Sequence, residues 1–174
     1  MERQKHVDAL KIRISGLSNR LHEYHFSTAP SEIGLEHNFT DAVNVDAVLD
    51  KTPGQLYLKA KIRTSGQFSC DRCVEEFKLM INGWYAMFYV YDDLGVEKFE
   101  TEEVRVINSD TVHIDITEDV RQMTILSVPL KLLCKEDCKG LCPECGTNRN
   151  VRSCACKGDY VDARWEGLEG LLNK

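Results

Sequence analysis

The feature that most constrains this chain is a set of eight cysteines arranged as four close pairs. Two are tight Cys-x-x-Cys turns, Cys70-Asp71-Arg72-Cys73 and Cys142-Pro143-Glu144-Cys145, and two are looser, Cys134 with Cys138 and Cys154 with Cys156. A Cys-x-x-Cys turn sets two thiolates on one edge of a tetrahedron without backbone strain, the geometry that zinc demands at a Zn–S distance of ~2.3 Å. Eight thiols supply two such sites.

The alternative use of eight cysteines is a disulfide framework, which belongs to small secreted domains that cannot build a core. This chain has 174 residues and is 43% hydrophobic, enough for one main core and a small appendage. Its first residues, Met1-Glu2-Arg3-Gln4-Lys5-His6-Val7-Asp8, have no apolar run behind the charges, and no stretch is apolar enough to cross a bilayer. The expectation is a cytoplasmic protein whose thiols stay reduced and free to hold metal.

Four pairs can combine into two four-ligand sites in three ways, and neighbourhood favours one of them. Cys142, Cys145, Cys154 and Cys156 lie close in sequence, with Pro143, Gly146 and the Asn148-Arg149-Asn150 segment supplying tight turn chemistry for a local knuckle. Cys70, Cys73, Cys134 and Cys138 then form the second site, which closes a long loop. Taken alone, Cys70 and Cys73 fit a redox dithiol as well as a ligand pair. Regular ferredoxin spacings are absent, so zinc is favoured over an iron–sulfur cluster. A site with four protein thiolates has no open position for water, so these metals are expected to hold structure, not to catalyse.

Elsewhere the patterning is mostly β. Lys11–Ile14 and Gln55–Arg63 alternate with period two, the second run after the turn residues Thr52-Pro53-Gly54, and Trp84–Val90 is rich in aromatic residues. Residues 92–103 are acidic and unpatterned and read as a solvated connection. Val112, Ile114 and Ile116 alternate, and Thr117–Val128 carries a capping residue and a helical stripe of Ile116, Val120, Met123 and Ser127 before Pro129. The fold class expected is α+β: an antiparallel, strand-rich body over 1–133 with one bracing helix, and a cysteine-rich segment over 134–174. That segment is expected to hold the zinc knuckle, to end in a short helix around Trp165, Leu168, Leu171 and Leu172, and to pack on the body.

No Gly-rich phosphate loop follows a strand and no catalytic constellation stands out, so the expectation is a non-enzymatic protein. His113 has no paired ligand at a useful spacing. The formal charge of −6 argues against a broad basic face. That charge is unevenly spread: residues 129–174 balance to +1, whereas residues 1–128 carry −7.

Taken in order, Cys70-Asp71-Arg72-Cys73-Val74-Glu75-Glu76-Phe77, Val128-Pro129, Cys134 and Cys138-Lys139-Gly140-Leu141-Cys142-Pro143-Glu144-Cys145-Gly146 resemble the YceD-like family of large ribosomal RNA accumulation proteins. Asn148 and Asn150 before Cys154, and Asp162-Ala163-Arg164-Trp165, look like that family's ending, and the resemblance spans roughly residues 55–174. It implies a non-catalytic role in bacteria and plastids, where 23S ribosomal RNA and the large subunit fail to accumulate without the protein. Many members of that family keep the Cys-x-Arg-Cys turn and a later Cys or His pair but lack the Gly-Leu-Cys-Pro ending. This supports Cys70, Cys73, Cys134 and Cys138 as a separable site. Gln122 stands where Glu is common and Ala163 where Pro is common.

Within that expectation, Lys135, Lys139, Arg149, Arg152 and Arg164 are the candidate contacts to phosphates of a 23S ribosomal RNA precursor. The acidic body favours a second reading, an adaptor that docks a ribosomal protein or assembly factor. A thiol redox switch is a third, should Cys70 and Cys73 prove reactive.

Overall fold

The structure, a computed structural model, describes residues 10–91 and 104–156. These fall into two units. The first runs up to Phe68 and resumes over Lys78–Leu130; the second joins Ser69–Phe77 to the residues from Lys131 onward. The turn that carries Cys70 and Cys73 thus belongs with the later cysteines, whereas a division at 133/134 leaves it in the body.

The described residues of the first unit form seven strands and one α-helix: β1 (Lys11–Arg13), β2 (Leu21–Thr28), β3 (Val43–Lys51), β4 (Gln55–Ser69), β5 (Glu76–Tyr91), β6 (Val104–Ile107), β7 (His113–Asp115) and α1 (Thr117–Leu126), β4 and β5 running on into the second unit. A 3-10 turn, Pro30–Ile33, lies between β2 and β3. Strands β1 and β7 pair antiparallel, Ile12 opposite Ile114. The other five form one sheet in the order β2-β3-β4-β5-β6.

Alternation explains the sheet. In β3, Val43, Val45, Ala47 and Leu49 are buried while Asn44, Asp46, Val48 and Asp50 face outward, and Val45 and Leu49 lie opposite Ile62 and Leu58 of β4. Fully burying one such aliphatic side chain stabilises by about 1.5–3 kcal/mol, so the inward rows dominate the sheet's stability. Neighbouring strands β4 and β5 are joined by only Cys70–Glu75, too short for a parallel crossover, so they run antiparallel.

The expected all-antiparallel body needs one correction. Strand β6 pairs parallel to β5, Phe88 opposite Val104 and Val90 opposite Val106. A parallel neighbour requires a long connection, and residues 92–103 provide that length.

Helix α1 covers the inward face. Ile116, Val120 and Thr124 are fully buried, Thr124 placing its hydroxyl on the Val120 carbonyl at 2.7 Å. The buried stripe therefore turns through Thr124, leaving Met123 and Ser127 half-buried. Gly83 of β5 sits beneath the helix: a Cβ there would lie 2.5 Å from Ser127 Oγ and 3.2 Å from Met123 Cγ, so only glycine lets the helix approach. At the start of the helix the Asp115 carboxylate accepts from the Thr117 amide at 2.9 Å. Arg105 of β6 makes a bidentate ion pair with Asp119, which ties the parallel edge strand to α1. Among the described residues no helix is long and apolar enough to cross a membrane. The expected terminal helix and the connection 92–103 lie outside the described residues.

Candidate metal centres

Two turns of the second unit share one backbone geometry. In the first, the Val74 amide donates to the Cys70 carbonyl at 2.9 Å and the Cys70 amide to the Glu75 carbonyl at 2.9 Å. In the second, Gly146 donates to Cys142 at 2.9 Å and Cys142 to Thr147 at 2.8 Å. The residue after the second cysteine is left-handed in both, Val74 at φ 61° and Gly146 at φ 71°.

Each turn meets a looser pair. Leu132 and Asp71 exchange hydrogen bonds, the Asp71 amide reaching the Leu132 carbonyl at 2.8 Å and the Leu132 amide the Asp71 carboxylate at 2.7 Å, which carries Cys134 in beside the first turn. The Arg72 guanidinium donates to the Cys138 carbonyl at 2.8 Å, and the Leu141 amide returns to the Arg72 carbonyl at 3.0 Å. Cys70, Cys73, Cys134 and Cys138 converge, and Cys142, Cys145, Cys154 and Cys156 form a second group; within each group the sulfurs lie within 4.8 Å of one another. This is the partition that neighbourhood in the sequence favours.

Both groups fit a tetrahedral metal. Four sulfurs at ~2.3 Å from a centre are separated by about 3.8 Å along each edge. The Cys70–Cys138 and Cys73–Cys134 separations are both 3.7 Å. In the first group Cys70, Cys73 and Cys138 are buried and Cys134 half-buried, with Phe77 and Leu133 packed against them. The second is more open, Cys142 being buried and Cys145 exposed.

The local field already favours the thiolate at Cys70 and Cys138 of the first group and at Cys145 of the second. Burial pushes the Cys70 thiol up, but the backbone amides of Cys134, Arg72 and Cys73 bring it down to about 6. Cys145 is also brought down to about 6, chiefly by Thr147, whose hydroxyl lies 3.2 Å from the sulfur. Burial and the neighbouring sulfurs push Cys134 up to about 12, and Cys145, with burial, raises Cys156. Four thiols so close cannot all ionise without a cation between them, which is the condition a divalent metal meets.

Asn150 couples the two groups. Its amide nitrogen donates to Cys138 Sγ at 3.3 Å and its oxygen accepts from the Lys139 amide at 2.9 Å, while its backbone amide reaches Asn148 Oδ1 at 2.9 Å. Asn148 in turn donates to Glu75 at 3.3 Å. Sequence reading takes these asparagines only as turn formers; their placement beside a thiolate is visible only once the chain is folded.

The candidate cations divide three ways. Lys139, Arg149 and Arg152 line a cleft of ≈ 420 Å³ together with Cys142, Cys154 and Cys156 of the second group, and among the described residues no carboxylate lines it. Lys135 lies outside that cleft, 4.0 Å from Asp137. Arg164 lies outside the described residues.

Fold and site together define a strand-rich protein with a second unit organised around two four-cysteine groups that could each hold a metal ion. The chain belongs to the family of large ribosomal RNA subunit accumulation proteins, YceD, which it matches over residues 58–172. An uncharacterized protein of Mycobacterium tuberculosis is 24% identical over 178 residues, covering 97% of this chain and 84% of that protein. The chloroplastic large ribosomal RNA subunit accumulation protein YCED homolog 1 of Arabidopsis thaliana is 27% identical over 154 residues, which cover 74% of this chain but 47% of the plant protein. The uncharacterized protein YlbN of Bacillus subtilis is 34% identical over 89 residues, about half of either chain. No solved structure matches.

Proposed function

We propose that this chain is a non-enzymatic, cytoplasmic zinc-binding factor that supports 23S ribosomal RNA accumulation and large-subunit assembly by binding the ribosomal RNA precursor. The observation that carries the reading is the cleft of the second unit, where Lys139, Arg149 and Arg152 gather with no carboxylate among its described lining residues. Such a surface attracts phosphates in a chain whose net charge is −6.

Zinc is the metal that the donor set favours, because four thiolates at tetrahedral edges suit a soft, redox-inert ion. Bound there it would hold the two turns and the looser pairs in place, and its closed coordination leaves the RNA contacts to the cations. Cys70, Cys73, Cys134 and Cys138 would take one ion and Cys142, Cys145, Cys154 and Cys156 the other. The name of the plant relative supports the choice of ligand. The acidity of the first 128 residues, −7, favours a second reading, an adaptor for a basic ribosomal protein or assembly factor.

Ultraviolet crosslinking in cells separates the two. With the tagged protein recovered under denaturing conditions and its attached RNA sequenced, strong crosslinks on 23S precursor are expected. Their absence despite sound recovery would replace RNA binding with the adaptor.

A further inference from the structure

The outward face of the large sheet combines exposed aromatic rings with ammonium groups. Along β4 the outward row includes Tyr57, Lys59 and Lys61, and along β5 it includes Trp84 and Phe88. Trp84 is 70% exposed, an unusual position for the largest apolar side chain, and Met80 of the same outward row is exposed as well. Its neighbour in sequence, Gly83, faces α1, so Trp84 points to the side of the sheet that the helix does not cover.

The Tyr57 and Phe88 rings stack at 4.4 Å, which fixes the two outward rows side by side. Because β4 and β5 run antiparallel, moving four residues along each from that stack leads to Lys61 on one strand and Trp84 on the other. Both are then about 13 Å from the stacked rings, at the same height on the sheet. Lys59 lies between, its ammonium 5.2 Å from the Tyr57 ring centroid. Across from Lys61 stands Asp46, already engaged by His25 at 2.7 Å and Arg63 at 2.5 Å. Lys61 feels the charge of Asp46, but the outward row of β4 carries three cations, Lys59, Lys61 and Arg63, against Asp46 and Asp50 of the adjacent β3 row, so the strip keeps a positive balance beside exposed aromatic surface.

We infer that this outward strip of β4 and β5, with Trp84 as stacking platform and Lys59 and Lys61 as phosphate contacts, binds single-stranded RNA. An open sheet face that alternates π surface with ammonium groups suits unpaired bases, whose faces stack while the backbone meets the cations. Duplex RNA offers no free base faces and gains only the charge contacts. The inference rests on the RNA-binding reading above and extends it to a second, separate surface in the first unit.

The test uses the full-length, metal-loaded chain and a fluorescein-labelled, mixed-sequence RNA of ~12 nucleotides, free or annealed to its complement, with binding read by anisotropy. Tighter binding of the single strand is expected, and Trp84→Ala should weaken it roughly 5-fold or more while Trp84→Phe retains most of the affinity. Lys59→Gln with Lys61→Gln should flatten the dependence of log affinity on log salt by about 1.4. The exposure of all three side chains keeps these variants folded, which circular dichroism checks. Unchanged affinity in the Trp84→Ala and lysine variants, alongside weakened binding by Arg149→Gln with Arg152→Gln, would overturn the sheet platform and leave the RNA reading intact. Failure of the wild-type chain to bind either RNA would overturn both, and equal binding of duplex and single strand would overturn stacking.

Discussion

The guanidinium of Arg72 donates to the backbone carbonyl of Cys138 across 2.8 Å, and so links the first cysteine turn to a segment more than sixty residues further along the chain. The Arg72 carbonyl accepts from Leu141 in the same contact. Arg72→Ala would leave the Cys138 carbonyl without its charged donor beside a crowded sulfur group, at a cost of about 1.5–3 kcal/mol. Scanning calorimetry of the variant should show a lowered transition for the second unit, and Arg72→Lys should recover only part of the loss because one ammonium cannot repeat the planar contact.

Val74 is a β-branched residue at φ 61°, in the region that glycine occupies at the matching position of the other turn, Gly146. Its side chain is 66% exposed, so little packing is lost on removal. Val74→Gly should therefore be neutral or stabilising by up to about 1 kcal/mol, whereas Gly146→Val should destabilise by about 1–2 kcal/mol. Chemical denaturation of the two variants checks the opposite signs.

Arg149 and Arg152 should act on RNA through charge alone. Replacing both with Gln is expected to weaken binding to single-stranded RNA of any sequence and to reduce the salt slope by about 1.4. Anisotropy titrations across a range of salt concentrations measure this; an unaltered slope would remove the two residues from the interface.

Removal of metal should act on the second unit. Its described part contains no α-helix and no strand beyond the ends of β4 and β5, and its residues are held by turns around sulfur, so thiolate–metal bonds carry much of its folding energy. Chelation is expected to abolish amide-exchange protection at Cys70, Val74, Leu141 and Cys142 while leaving protection at Val45, Leu58 and Ile62. Acid should act in the same direction. The metal-bound state holds fewer protons than the free thiols, which include Cys134 pushed up to about 12, so metal affinity rises with pH and falls as the thiolates reprotonate. Amide exchange at two pH values tests both statements.

Much of this was legible in the sequence, for reasons that differ from element to element. Gln55–Arg63 alternates cleanly because one face is buried and the other is in water. Its continuation to Ser69 was hidden by Thr64, Ser65 and Gly66, all buried, where a Cβ on Gly66 would lie 2.4 Å from the Asn38 carbonyl. Strand β5 was legible only as the aromatic run Trp84–Val90, because exposed Met80 and Trp84 make its first half apolar on both faces. Edge strand β2 buries its alternate residues only partly and mixes His22, Tyr24 and Phe26 on one face, so its period is faint. Strand β3 alternates as cleanly, Val43, Val45, Ala47 and Leu49 turning inward, and its period is legible by the same rule. The parallel pairing of β6 is carried by four residues, which no local pattern specifies. For the cysteines, sequence proximity alone gave the grouping, since a local loop costs little entropy to close. The supporting contacts of Arg72, Thr147 and Asn150 depend on chain segments that meet only in the fold.

Native mass spectrometry of the full-length chain, purified without chelator, tests the central claim that the second unit is built on two four-thiolate metal sites. The account predicts a mass higher than that of the free chain by two zinc ions, falling to one ion in Cys142→Ser with Cys145→Ser and to one in Cys70→Ser with Cys73→Ser. A metal-free mass for the folded wild-type chain, or a mass showing disulfides among these cysteines, would contradict it.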